Sequence, residues 1–288
     1  MSTHPQRPDR NLAMELVRAT EAAAIRAFPH IGKGDKNAAD GAAVDAMRAF
    51  LNTVDFDGLV VIGEGEKDNA PMLFNGERVG TGSGPQVDIA VDPIDGTSLT
   101  AAGRMNAISV IAVSDRDTLL DASAVYRMDK FVVGQPGVGV CDIGMSVGEN
   151  LREYSLASRK PIDEILVAVL DREYNQEVIE EIRSAGAATR LLRDGDVAGG
   201  IQAARSESRI DMCIGKGGSP EGVITACGVK SLGGQIQGVL APSNEEELSA
   251  GLHAGLKFGH VYQMNEMVGS DNTFFVATGV TDGPLVSG

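Results

Sequence analysis

The chain has 288 residues, 40 of them Asp or Glu against 25 Lys or Arg, which gives a formal net charge of −15 and a sequence pI of ≈ 4.7. That balance argues against a phosphate-backbone binder, which needs a basic face, and against docking on an anionic membrane surface. With no Trp and 4% aromatic residues, base-stacking platforms are unexpected as well, while 43% apolar residues supply a sizeable core for one large domain or two intimate halves.

Taken in chain order, apolar residues recur at helical spacing through Leu12, Leu16, Ala19, Ala23 and Ala27, and again at Val44, Met47 and Leu51, with Asp40 expected at the start of this second helix. Leu59-Val60-Val61-Ile62 is a compact apolar run that reads as a buried strand, closed by the turn Gly63-Glu64-Gly65-Glu66. Val87 to Asp92 repeats the pattern and ends in Pro93-Ile94-Asp95-Gly96-Thr97. Ala107–Val113 and Val125–Val133 are expected as further strands of a meander.

The rhythm then changes. Strands are expected at Ile165–Leu170, Ala188–Leu192 and Ile210–Ile214, and helices at Gln176–Ser184, Val197–Ala204 and Gly222–Lys230. This alternation predicts an open, mostly parallel sheet. The stretch 140–160 is the expected seam between an N-terminal half of about 9–140 and a C-terminal half of about 160–288, the two packed as a single domain over 9–288. Cys141, Cys213 and Cys227 form no C-x-x-C, and no signal-peptide or membrane-length apolar run is seen, so a cytoplasmic α/β protein is expected.

Ligands of open α/β sheets gather beyond the carboxyl ends of strands. Glu64, Glu66, Asp92, Asp95, Asp194 and Asp196 lie just past expected strand ends, and Glu221 follows the expected Gly-rich loop Gly215–Gly218 and opens a helix. Any one of them has an ordinary explanation as a turn or helix-start carboxylate. Together they would repel one another unless a cation held them, and oxygen-only ligation selects Mg²⁺ or Mn²⁺. His4, His30, His253 and His260 are scattered without the spacing of a zinc site. In Asp92-Pro93-Ile94-Asp95-Gly96-Thr97, Asp92 is expected to end the strand, Pro93 to fix the exit and Asp95 to turn back toward the same point. Gly96 then allows a tight backbone before the Thr97 hydroxyl, an arrangement suited to activated water and a phosphoryl group. Gly215–Gly218 lacks both P-loop and G-x-G-x-x-G spacing, which disfavours a nucleotide-binding protein.

Asp-Pro-Ile-Asp-Gly-Thr after an apolar strand resembles the metal-binding signature of the lithium-sensitive sugar and inositol phosphatase superfamily. Gly34–Gly41, Val61–Glu66, Ala70–Leu73, Asp194–Ala198, Pro220–Val223 and Ala277–Thr281 narrow the resemblance to the class II (GlpX-type) fructose-1,6-bisphosphatases, in order along essentially the whole chain. The resemblance implies a layered α/β/α/β/α fold and divalent-metal-dependent hydrolysis of the 1-phosphate of fructose 1,6-bisphosphate. It implies Asp40, Glu64, Asp92, Asp95 and Glu221 as metal ligands and Thr97, Lys36 and Asp68 as catalytic residues. Asp95, Gly96, Thr97, Tyr126, Arg127, Asp194, Gly195, Asp196 and Gly218 would contact the substrate, and a homo-oligomer is suggested.

Two departures fall on the substrate side. Arg127 stands where the family has a Tyr, unless Tyr126 fills that place, and Glu173-Tyr174-Asn175 replaces Pro-Arg-His. The chain also stops at Gly288, where family members usually continue. A phosphatase for a different phosphorylated sugar is therefore one alternative, and a non-catalytic metal- or phosphosugar-binding paralogue is another.

Overall fold

The computed structural model describes residues 12–64, 66–67, 70–71 and 73–288, with backbone alone at 66, 67, 70 and 71. The first half runs α1 (Leu12–Ala27), α2 (Lys36–Leu51), β1 (Asp57–Ile62), β2 (Glu66–Lys67), β3 (Ala70–Pro71), β4 (Arg78–Val79), β5 (Gln86–Asp95), α3 (Thr97–Ala101), β6 (Ile108–Asp115) and β7 (Arg127–Val133). Then come α4 (Val147–Ser158), β8 (Leu166–Leu170), α5 (Gln176–Ser184), β9 (Ala188–Leu192), α6 (Val197–Ala204), β10 (Met212–Gly218) and α7 (Ser219–Leu232). The remainder is β11 (Gln235–Leu240), α8 (Glu245–His253), β12 (Tyr262–Gln263), α9 (Met264–Met267) and β13 (Thr273–Gly279).

Two larger sheets carry the fold, ordered β13-β6-β5-β1-β4 and β12-β11-β7-β10-β8-β9. Helices α1 and α2 cover the outer face of the first sheet, α6 and α7 lie between the sheets, and α4 and α5 cover the outer face of the second. The result is the expected α/β/α/β/α layering, with three buried apolar clusters, one under each outer helical layer and one around the helices between the sheets. On α1, Leu16, Ala19, Ala23 and Ala27 form a buried stripe that meets Ala39, Ala43, Val44 and Met47 of α2. The alanines let the two helices approach closely, and burial of the stripes stabilises both.

The strand directions correct the expectation of a mostly parallel sheet. In the second sheet only β10–β8 and β8–β9 are parallel; β7 lies antiparallel between β10 and β11. In the first sheet only β1–β5 is parallel. The βα alternation fixes the direction of strands joined by a helix, but β7 arrives from the first half of the chain and runs the other way. The expected meander is corrected too, because β6 pairs with β5 while β7 leaves for the second sheet.

Local boundaries differ where a polar signal outweighs the apolar pattern. Asp35 caps α2, its carboxylate accepting from the Ala38 N–H at 3.0 Å, so the helix begins at Lys36 and Asp40 sits in its second turn, not at its start. The Gly-rich stretch is not a loop: β10 runs through Gly215–Gly218, paired with Lys130 to Arg127 of β7.

Candidate active site

The two parallel strands of the first sheet, β1 and β5, end at the same edge, as do the parallel strands β8, β9 and β10 of the second. The residues following those ends face one another across a single cavity of ≈ 310 Å³. Glu64 comes from the end of β1, Asp92 and Asp95 from β5, and Thr97 from the first residue of α3. Arg172 and Tyr174 follow β8, Asp194, Gly195 and Asp196 follow β9, Gly218 ends β10, and Glu221 lies in the first turn of α7. Asp40 reaches the same cavity from α2. All five expected metal ligands therefore line one bowl.

Strand β5 does not end at Asp92 as expected. It continues to Asp95 with a register shift, Asp92 pairing with Val110 and Asp95 with Ile108. Three steps along β5 match two along β6, so one residue is extra. Residues three apart on a regular strand point to opposite faces; the bulge restores Asp92 and Asp95 to the same one. Gly96 then takes φ +100°, a left-handed turn that glycine adopts without strain, and starts α3.

The electrostatics are those of crowded, partly dehydrated carboxylates. Seven acidic side chains and one guanidinium, that of Arg172, line the bowl. Burial pushes Asp92 well above the usual carboxylate range, and the neighbouring charges of Glu64, Asp95, Glu221 and Asp40 push further. Asp95, 3% exposed, is raised by burial and then by Asp196, Glu221 and Asp194. Burial also raises Glu221, against the lowering influence of Lys130. Asp95 Oδ2 and Glu221 Oε2 are buried without a hydrogen-bond partner, which is costly unless something else meets them. A Cβ on Gly218 would overlap the Glu221 carboxylate, so glycine is what lets that acid lie against the chain. Unsatisfied, mutually repelling oxygens with no nitrogen or sulfur donor fit a hard divalent cation. Among the described residues, no three His, Cys, Asp or Glu groups are already drawn into a closed cage; the acids stand around the bowl.

Lys130 was not anticipated from the sequence. It is 6% exposed on β7, and its ammonium pairs with Asp196 at 2.5 Å and donates to the Gly218 carbonyl at 2.9 Å. Burial works against its charge, but Asp196 and Glu221 more than offset this and raise its pKa. The signal was a single cation inside the apolar strand Met128-Asp129-Lys130-Phe131-Val132. Arg172 was also missed. It donates to Asp194 at 3.0 Å and to the Arg193 carbonyl at 2.6 Å, tying the ends of β8 and β9 together.

The expected residues do not all converge. Lys36 is exposed at the start of α2, one turn before Asp40, and does not line the bowl. Asp68 lies outside the described residues. Tyr126 is 70% exposed and away from the bowl, its carbonyl accepting from the Ser219 N–H at 3.1 Å. Ser98 donates through both N–H and hydroxyl to Asp194 Oδ2, at 3.1 and 2.5 Å.

The two departures from the family pattern meet each other. The Arg127 guanidinium stands 4.7 Å from the centroid of the Tyr174 ring, a cation–π contact. The contact places one cation and one ring from the two segments side by side. Glu173 is exposed and does not line the bowl. Asn175 is buried and structural, donating to the Leu170 and Lys216 carbonyls and accepting from the Lys216 N–H.

Gly195 takes φ +67°, and a Cβ there would lie 3.0 Å from both Asp95 carboxylate oxygens. Gly195→Ala is expected to destabilise the protein by about 1–2 kcal/mol through the left-handed backbone and to weaken divalent-cation binding by displacing Asp95. Urea unfolding and a metal titration check both; unchanged values in each would show that the turn relaxes freely.

Layered sheets meeting at an acidic bowl make this an α/β phosphatase fold. The family model described as "Bacterial fructose-1,6-bisphosphatase, glpX-encoded" matches residues 10–288, and the chain belongs to that family of enzymes. It is 43% identical to fructose-1,6-bisphosphatase 1 class 2 of Escherichia coli strain K12, across 97% of this chain and 87% of that protein. The same identity and coverage, 43%, 97% and 87%, hold for the class 2 fructose-1,6-bisphosphatase of Shigella flexneri. Among solved structures, an extragenic suppressor from Pyrococcus furiosus aligns over 66% of this chain and 68% of its own at 16% identity, with a TM-score of 0.33, too slight a likeness to carry a fold assignment.

Proposed function

We propose that this chain is a divalent-metal-dependent phosphatase that releases the 1-phosphate of fructose 1,6-bisphosphate. The observation that carries the reading is a bowl lined by seven carboxylates in a chain whose family acts on an anionic sugar phosphate. Such a substrate is repelled unless cations reverse the local charge. Asp40, Glu64, Asp92, Asp95 and Glu221 are the residues that would hold Mg²⁺ or Mn²⁺. When bound, such ions offset phosphoryl charge and make water a competent nucleophile near neutral pH.

The chain's own groups complete the chemistry. Thr97 orients the attacking water at the strand end. Water adds to phosphorus, the bond from phosphorus to the sugar oxygen breaks, and that oxygen takes up a proton. Gly96 and Gly218 leave room for close backbone approach, while Asp194, Gly195 and Asp196 border the sugar. Lys36 and Asp68 are the further residues proposed to take part in catalysis. The distant phosphate meets Arg127, held against Tyr174. The family setting supports a cytoplasmic single-domain protein; among the described residues no helix is long and apolar enough to cross a membrane. Its family relationship supports a homo-oligomer, which light scattering measures directly.

Phosphate release is the decisive assay. Fructose 1,6-bisphosphate is expected to turn over with Mg²⁺ or Mn²⁺, and activity should fall to background after chelation. Divalent cation should also raise the Tm of the stripped protein at neutral pH, and less at mildly acidic pH, where the raised carboxylates take up protons. Full turnover in chelator would sink the reading.

Specificity has its own test. A charge-assisted hydrogen bond is worth about 1.5–3 kcal/mol, so Arg127→Ala should raise KM at least about tenfold for a sugar bisphosphate and little for a monophosphate. Equal changes for both would remove Arg127 from the distant-phosphate site.

A further inference from the structure

A second recess, of ≈ 670 Å³, lies beside the bowl at the outer edge of the second sheet. Four arginines line it, drawn from three elements of the fold. Arg104 follows α3, Arg183 lies in the last turn of α5, Arg190 is on β9, and Arg193 follows β9. None has a carboxylate within ion-pair distance among the described residues, although the chain has 40 acidic residues to 25 basic ones. The one acid lining the recess is Asp194, and its oxygens are already engaged, Oδ1 by Arg172 and Oδ2 by Ser98.

A single cation on β9 would be an ordinary guard for an edge strand. Convergence of four cations from three elements is different, because like charges gathered without acids raise the energy of the folded chain. One guanidinium, that of Arg183, is tethered, and the backbone from which Arg104 projects is held. Arg183 Nε donates to the Thr189 hydroxyl at 3.3 Å, and the Arg104 backbone N–H donates to the Leu99 carbonyl at 2.8 Å. Planar guanidinium forks match phosphate oxygens and are less strongly hydrated than ammonium groups. The recess also has an apolar side, which includes Leu99.

We propose that this arginine-lined recess is a binding site for a small phosphate monoester and that its occupant acts as an effector. It lacks the grouped carboxylates that hydrolysis in the bowl uses, so the ligand would be bound and not turned over. The link to the bowl is short. Leu99 lies two residues after Thr97 on α3, and Asp194 lines both cavities. The binding claim does not depend on the phosphatase reading, since it is measured without turnover.

Phenylphosphonate, a non-hydrolysable monoester mimic, is the probe, titrated calorimetrically into the full-length protein with and without Mg²⁺. Without divalent cation the carboxylate bowl repels a dianion, so remaining binding reports the recess. One saturable site per chain is expected, weakened at least about tenfold in Arg104→Gln/Arg190→Gln. That variant should keep its turnover of fructose 1,6-bisphosphate in the absence of probe, which also certifies its fold. With Mg²⁺, the probe should change kcat in the parent protein and not in the variant. Absence of saturable binding, or binding untouched by the double substitution, overturns the site. A purely competitive effect alike in both proteins overturns the effector role. A smaller assembly for the variant by light scattering, with no probe binding to the parent, assigns the arginines to a subunit contact and also overturns the proposal.

Discussion

Replacing Thr97 with alanine is expected to lower kcat by about 10²–10³-fold, the usual cost of removing one positioned hydrogen-bonding group from a reacting centre. Metal affinity and stability should remain near those of the parent, because no carboxylate is removed and the side chain is only partly buried. The neighbouring hydroxyl of Ser98 is not free to stand in for the lost group. It is instead bonded to Asp194 at 2.5 Å, and Ser98 does not line the bowl. The single substitution is therefore a sufficient test, read by single-turnover phosphate release alongside a metal titration. A rate within threefold of the parent would take Thr97 out of the chemistry.

The second large effect concerns stability. Lys130 is sealed beneath the bowl, paired with Asp196 and facing Glu221. Lys130→Met keeps the apolar stem but leaves Asp196 buried without its cation, and it removes the positive charge nearest Glu221. Breaking a buried pair from one side costs about 3–5 kcal/mol. Urea unfolding of the metal-free protein should show a loss of that order, and divalent cation should restore part of it by supplying positive charge to the same acids. A loss below about 1 kcal/mol would mean that the pair is solvated in solution.

Short-range patterns were the readable part of this chain. Helices Gln176–Ser184 and Val197–Ala204 and strand Ala188–Leu192 form over the expected residues, because periodicity and adjacent turns decide them within a few positions. Six of the seven acids that line the bowl were legible as a set because they lie at or just past strand ends, whereas Asp40 comes from α2. What escaped depends on distant partners. Gly215–Gly218 reads as a loop on composition and becomes strand only because β7 pairs with it. The Asp92–Asp95 bulge exists only relative to β6. Lys130 looks misplaced in an apolar strand until Asp196, 66 positions later in the numbering, closes on it. Arg127 and Tyr174 read as two separate departures, and only the folded chain shows that they touch.

The position of β13 bears on how the molecule is made. This strand closes the edge of the first sheet against β6, the Thr273 hydroxyl reaching the Val113 carbonyl across 160 residues of sequence. Pairings of such separation bear the cost of closing a long loop before any contact rewards it, which slows folding. On the ribosome, β6 and the face of α1 that packs on β13 stay uncovered through synthesis of the entire second sheet. The first sheet, begun earliest, is finished last, and the emerging chain carries an open apolar strand edge for most of its translation, the interval in which a chaperone is needed most.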